Sequence, residues 1–359
     1  MFIIISLIIK GNFWIKKTMQ SFLVTETDYL HTEASQAKLH SKSPQKQKVH
    51  RDFKPLLLLN QSSFPVYLVY SEYYKKHLAL KIYPYQGPNI SPFYNHEVKL
   101  ATLKHPNVIS LIEKRAKKDA VYNGTSINFS YIVLELAPYG NFYQLLSSGK
   151  FPRDDILIRS YLHQLIEGLE YLHSNGVYHM DIKLSNLLIG ENYLLKIAGF
   201  KCCQFGKEPS LGKGTKNFRA PEVKTQECIN KEAADVYSAG IVLFVMKASM
   251  LPYIEDKPIK GYDMFKLLKK GEAFWDAHND CQSKMIHCDE DFKELFNGMV
   301  KYEPSERYSI QDVKKSAWYN GPVYSKKEIK IIMHDRIKVP NILRKCNVNI
   351  LDIFREEEA

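Results

Sequence analysis

Val177–Lys201 runs VYHMDIKLSNLLIGENYLLKIAGFK, and its reading decides the fold. It predicts a short strand, a loop of polar chemistry, then a hairpin that closes on Ala198-Gly199-Phe200. His179, Asp181, Lys183 and Asn186 stand in the spacing H-x-D-x-K-x-x-N, which crowds a carboxylate, an ammonium and an amide into one tight loop. Transfer of a phosphoryl group to a hydroxyl uses such a trio. The carboxylate orients the hydroxyl and takes its proton, the ammonium neutralises the moving phosphoryl, and the amide oxygen holds a magnesium ion.

The flanking segments are regular. Upstream, Pro152 to Ser174 carries Ile156, Leu162, Leu165, Ile166, Leu169 and Leu172 at helical spacing, with Asp154 and Asp155 at its start and Gly176 just past its end. That pattern predicts an amphipathic helix delivering the chain into the loop. Leu187–Ile189 and Leu194–Lys196 predict the hairpin, turned by Gly190-Glu191-Asn192. Nearer the start, Val66–Val69 and Leu78–Ile82 are branched and aromatic enough for strand cores. Ser91–Lys104, with Pro92 in its first turn, predicts a helix, and Val108–Ser110 and Tyr131–Leu136 predict two more strands. Helices are expected over Asp289–Val300 and over Ser309–Trp318, the latter opened by a capping box of Ser309 and Asp312.

In order and content these motifs resemble the eukaryotic protein kinase family in its serine/threonine form, over roughly Leu56 to Trp318. The loop at His179 resembles the family's catalytic loop, with Asp181 as base and Lys183 two residues after it. Leu78-Ala79-Leu80-Lys81 resembles the V-A-I-K strand, which implies that Lys81 meets the α and β phosphates of ATP and pairs with Glu97. Gly214-Thr215-Lys216-Asn217-Phe218-Arg219-Ala220-Pro221-Glu222 resembles the G-T-x-x-Y-x-A-P-E ending of the activation segment. This implies that Thr215 bonds Asp181 and Lys183, and that Glu222 pairs with Arg307. Ala234–Gly240 resembles the buried helix whose aspartate, here Asp235, anchors the catalytic loop. The resemblance further implies apolar nucleotide walls at Val66, Ala79 and Leu188, a gatekeeper at Leu134, a hinge from Glu135 to Ala137, and a second metal held by Asn186.

The fold so implied is α+β and two-lobed, with a β-rich N-lobe carrying one main helix (56–137) and a helical C-lobe (138–318). An apolar run and polar linker (1–55) precede it and a tail (319–359) follows. Inside the linker, His50-Arg51-Asp52 imitates a catalytic loop. Leu57 stands where the metal-binding amide would be, and the triplet precedes the lysine strand, so it is a coincidence.

Three departures limit the chemistry. Where the family has Asp-Phe-Gly, this chain has Gly199-Phe200-Lys201, so the magnesium-binding carboxylate is missing. Where it has a glycine-rich phosphate lid, this chain has Asn60-Gln61-Ser62-Ser63-Phe64-Pro65, without a glycine to let backbone approach phosphate and with a proline that offers no amide. Met180 replaces an arginine that receives an activation-segment phosphate. Losing one metal ligand and thinning the lid costs on the order of a thousandfold in rate. The expectation is therefore a pseudokinase, a regulatory or scaffolding domain that holds ATP weakly, with its magnesium site compromised. The alternative is an active atypical serine/threonine kinase transferring the ATP γ-phosphate to protein hydroxyls, with Lys201 placing an ammonium where a metal would sit; beyond these kinase readings stands a pure scaffold that takes no nucleotide. Either reading has a protein partner, as substrate or as regulated protein.

Bulk properties fit. The 359 residues are 45% hydrophobic and 25% charged, and the formal charge of +11 is spread along the chain. No basic-and-aromatic interleaving of the nucleic-acid type occurs. Cys202, Cys203, Cys228, Cys281, Cys288 and Cys346 form no C-x-x-C pairs, which predicts reduced thiols and a cytoplasmic setting. Cys281, His287 and Cys288 lack the partners for a tetrahedral metal site. Met1–Ile9, MFIIISLII, falls short of the ~20 residues of a membrane span and lacks the flanks of a secretory signal. It is expected to pack on the domain or to precede a true start at Met19, rather than to anchor the chain to a membrane.

Overall fold

The computed structural model describes residues 53–60, 64–85, 89–122, 125–206, 214–224, 230–255, 257–281 and 288–337. The apolar run at 1–9, His50-Arg51-Asp52, Gln61-Ser62-Ser63 of the expected phosphate lid, His287, Cys228 and Cys346 lie outside them. The fold is α+β: one unit is built on a β-sheet and the other on helices.

In the first unit, β1 (Phe53–Asn60), β2 (Val66–Ser71), β3 (Lys76–Pro84), β4 (Leu111–Tyr122) and β5 (Thr125–Glu135) form an antiparallel sheet in the order β1-β2-β3-β5-β4. Side chains alternate across a strand, and β3 uses both faces. Leu78, Leu80 and Ile82 join Phe53, Tyr67, Val69 and Val133 in one cluster. Tyr83 joins Phe64, Tyr94, Leu111 and Ile132 in a second cluster on the opposite side. The same alternation puts Ala79 and Lys81 on the face of Tyr83.

Two expectations need correction here, and one strand was not expected. The helix expected over Ser91–Lys104 is an α-helix only as far as α1 (Pro92–Glu97), after which Val98–Thr102 tightens to 3-10 geometry. The cause is a burial period of three, with Ser91, Tyr94, Glu97 and Leu100 all inside. Residues three apart eclipse in the tighter helix, not in the α-helix. Val108–Ser110 is not a strand, and Val108 makes only an isolated bridge to Ile197. Its neighbour β4 is a long strand that the pattern hid, because Lys114, Arg115 and Lys117 are exposed along this edge strand. Charges on an edge discourage pairing with another chain.

The second unit is organised by two helices after the short α2 (Phe142–Ser147). α3 (Asp155–Ser174) is capped by Asp154, which accepts from the Ile156 amide at 3.1 Å, and it buries Leu157, Ile158, Tyr161, Leu162, Leu165, Ile166, Leu169 and Leu172. The chain then passes through β6 (Val177–Tyr178), β7 (Leu187–Ile189), β8 (Leu195–Ile197) and β9 (Gln204–Phe205), with β6 paired to β9 and β7 to β8. The short α4 (Pro221–Lys224) leads to α5 (Lys231–Ala248), which is buried on every side, as a helix apolar all round must be. α6 (Met264–Leu267), α7 (Glu272–Cys281), α8 (Glu290–Met299) and α9 (Ile310–Lys315) complete the domain-like part. Asp289 caps α8, and Ser309 and Asp312 form the capping box of α9.

The tail after Asn320, for which no element was expected, is structured as far as Ile337. α10 (Lys326–Arg336) opens with a capping box of Ser325 and Glu328. Arg159 on α3 holds the approach to it, donating to the carbonyls of Trp318 (2.5 Å) and Pro322 (2.7 Å). Among the described residues no helix is long and apolar enough to cross a membrane.

Candidate functional site

Asp235 is the buried post on which the loop at His179 is built. It lies on α5 with no exposure to solvent. One carboxylate oxygen accepts from the His179 amide (2.8 Å) and the other from the Met180 amide (2.8 Å). His173, at the end of α3, adds its Nε2 at 2.9 Å. Sequence reasoning missed His173, because nothing local marks a partner that lies across the core. With both amides pinned, Met180 adopts φ +60° and turns the chain sharply toward Asp181.

His179 is also fully buried. Its Nδ1 accepts from the Asp181 amide at 3.2 Å, so Nε2 carries the proton and donates to the Ala198 carbonyl at 2.8 Å. Burial lowers its pKa, with the Asp235 carboxylate opposing, so the ring is neutral. It thus ties the loop to the segment that holds Gly199.

Asp181 meets three donors. Thr215 Oγ1 donates to its Oδ1 at 2.6 Å, Lys183 Nζ lies 2.9 Å from Oδ2, and Asn186 Nδ2 donates to Oδ2 at 3.0 Å. Lys183 also donates to Thr215 Oγ1. Gly214 lets Thr215 come so close: it has φ +99°, and a Cβ there would lie 2.7 Å from the Met180 carbonyl oxygen. The arrangement can orient a hydroxyl and accept its proton, with an ammonium at hand for anionic charge.

Behind it, Glu222 and Arg307 form a two-pronged ion pair at 2.7 and 3.0 Å. The guanidinium also donates to the carbonyls of Ala233 (2.8 Å) and Lys301 (2.9 Å). Such a planar fork satisfies a desolvated cation fully.

Asn186 and Gly199 decide how a metal would fare. Besides Asp181 Oδ2, Asn186 Nδ2 reaches the Asp181 carbonyl at 2.8 Å. Gly199 sits at φ +80° and has no side chain, and the Asn186 carboxamide fills the space beside it. Magnesium demands near-octahedral oxygen ligation. This corner offers the Asn186 amide oxygen and no carboxylate from residue 199, so the residues do not fit a magnesium ion held as the family holds it.

In the first unit, Lys81 on β3 forms an ion pair with Glu97 at the end of α1. The Tyr83 hydroxyl is buried beside Glu97, and burial first, then that carboxylate, hold its pKa far above the ordinary phenol range. Val66 on β2 pairs with Lys81 in register, and Ala79 pairs with Leu134, next to Glu135 at the end of β5. In the second unit, Leu188 on β7 bridges Asn141, and Tyr139, two residues after Ala137, donates its amide to the Ile189 carbonyl at 3.2 Å.

A model of the protein kinase domain matches residues 61–319. Curated relatives include CBL-interacting protein kinase 26 of Oryza sativa subsp. japonica, 34% identical over 223 residues, which are 60% of this chain and 41% of that one. Another is CBL-interacting serine/threonine-protein kinase 9 of Arabidopsis thaliana, 30% identical over 244 residues, 65% of this chain and 49% of that one. The matched stretch thus spans less than half the length of either relative.

Proposed function

Since the chain belongs to the protein kinase domain family, we propose that it is a catalytically impaired member, a pseudokinase-type domain that regulates or scaffolds a protein partner and holds ATP weakly. One observation carries this reading. Gly199 offers no side-chain oxygen to a metal, and Asn186 occupies the room a side chain there would use while binding Asp181. ATP would meet Lys81, backed by Glu97, with its phosphates. The names of the relatives, which describe kinases that interact with CBL, support a protein as the partner. The cytoplasm is the setting proposed for this role, where thiols such as that of Cys202 stay reduced.

The test joins a thermal-shift titration with ATP, with and without magnesium, to a phosphate-transfer assay on generic serine/threonine substrates. The expected result is weak stabilisation by ATP that magnesium does not change, and transfer on the order of a thousandfold below a working kinase. Turnover at roughly 1–100 per second overturns the proposal.

The close set of Asp181, Lys183 and Thr215 favours a second reading, an atypical serine/threonine kinase passing the ATP γ-phosphate to protein hydroxyls. Asp181→Asn tests it. Transfer that survives this change does not belong to the site.

A further inference from the structure

Phe64 is the last residue but one before β2. The carbonyl of the next residue, Pro65, accepts from the Ile82 amide at 3.0 Å, which ties Pro65 to β3 beside Lys81. Phe64 is only 8% exposed, and its ring lies 5.0 Å from that of Tyr83 and 5.1 Å from that of Phe93. The Lys81 ammonium lies 6.0 Å from the centre of the Phe64 ring and 5.3 Å from that of Tyr83, while it pairs with Glu97. One carboxylate and two aromatic faces thus surround this cation, and the Lys81 side chain is 13% exposed.

A turn that binds phosphate turns its backbone amides toward the anion. Here a phenyl ring lies against Lys81, and Pro65 has no amide to give. Aromatic faces attract a cation and leave it charge-satisfied without an anion. A phosphate reaching Lys81 must strip these contacts and would bring its charge against an apolar ring. An uncharged ligand has no such need.

We propose that Phe64 gates Lys81: seated against the Lys81–Glu97 pair, the ring makes the chain discriminate against ATP in favour of uncharged adenosine. The inference rests on the reading that the chain takes an adenine nucleotide, and its test separates the two.

The full chain and its Phe64→Ala and Phe64→Leu variants are treated with limiting acetic anhydride, and acetylation of Lys81 is measured by peptide mass spectrometry against that of exposed Lys76. Labelling of Lys81 should rise on the order of fivefold in Phe64→Ala, with Phe64→Leu between, since leucine keeps apolar bulk but has no π face. Unchanged labelling in a cooperatively melting Phe64→Ala overturns the gate. Should that variant fail to fold, Phe64→Leu decides by the same criterion, a rise supporting the gate and no rise overturning it. Thermal-shift titrations with ATP and with adenosine form the second arm. The concentration of ATP needed, relative to adenosine, should fall on the order of fivefold in Phe64→Ala, and the gain should vanish when Lys81→Met is added. An unchanged ratio overturns the discrimination. No shift with either ligand in any variant strikes the nucleotide reading instead, and with it the proposed discrimination, while the labelling still decides whether Phe64 covers Lys81.

Discussion

Asn186 and Gly199 share one volume: a side-chain carbon built on Gly199 would lie 2.5 Å from Asn186 Cγ and 3.0 Å from its Nδ2. Asn186 is held there by Asp181, and Gly199 is at φ +80°, where side chains are strained. Restoring the acid by Gly199→Asp therefore turns a carboxylate against the Asn186 amide oxygen. In metal-free buffer the variant should lose about 1–2 kcal/mol of stability, read as a lower Tm. Magnesium with ATP should return part of that loss, because two oxygens then face the cation, whereas the natural chain should show no magnesium effect. A variant that stays indifferent to magnesium would put the defect elsewhere than residue 199.

Asp235 takes two backbone amides and His173 with one carboxylate. Asp235→Asn keeps the shape but turns an N–H toward an N–H. A buried donor left without an acceptor costs about 1–3 kcal/mol, and the loop geometry should loosen with it. Urea unfolding should show a lower midpoint, and Lys183 should become more reactive toward an amine reagent. An unchanged midpoint would mean that the loop does not depend on this post.

Acid should weaken the fold through buried histidines. His179 and His278 both have pKa values lowered by burial, His278 from 6.5 to about 4. The unfolded chain therefore binds more protons than the folded one below pH about 6.5. Stability is complete above that value and is lost as pH falls through the lowered pKa. His278 packs against Phe244, Phe274 and Trp275, so its share is about 1–2 kcal/mol by pH 4 after allowance for solvent screening. Urea titrations at several pH values should show the slope, and His278→Phe should flatten it. A slope unaltered in that variant would assign the acid sensitivity to other groups.

What the sequence made legible was local pattern. The helical spacing of α3, the β7–β8 hairpin and the capping boxes follow from residues close along the chain, and the same holds for the polar loop at His179. Where burial overrode propensity, the pattern misled. The three-residue period through Tyr94, Glu97 and Leu100 looks α-helical to the eye but stays so only to Glu97 and winds as 3-10 beyond it, and the lysines of β4 conceal an edge strand. Long-range partners left no trace in a single sequence. His173 reaches Asp235 across the core, and the packing of Phe64 on Tyr83 depends on the sheet that brings β3 beside Phe64. The empty place at residue 199 could be read from its letter, but its occupation by Asn186 could not.

α10 is the clearest case of a signal passed over, since Ser325-x-x-Glu328 marks a helix start. Its packing explains why the helix persists beyond the matched family region. Ile329 and Met333, one turn apart, are buried, and His334 Nδ1 lies 3.2 Å from the hydroxyl of Tyr193. Tyr193 in turn stacks on Tyr139 at 4.2 Å and gives its carbonyl to Tyr161. Ile331 on the same helix is 65% exposed and supplies an internal control. Met333→Ala should cost about 2–4 kcal/mol by removing a fully buried side chain, while Ile331→Ala should stay within roughly 0.5 kcal/mol. Urea midpoints of the two variants make the comparison, and the slightly larger helix propensity gain of Ile331→Ala over Met333→Ala is only a few tenths of a kcal/mol. If the two midpoints shift alike, α10 contributes nothing to the fold by docking, and the Tyr193–His334 contact is incidental to it.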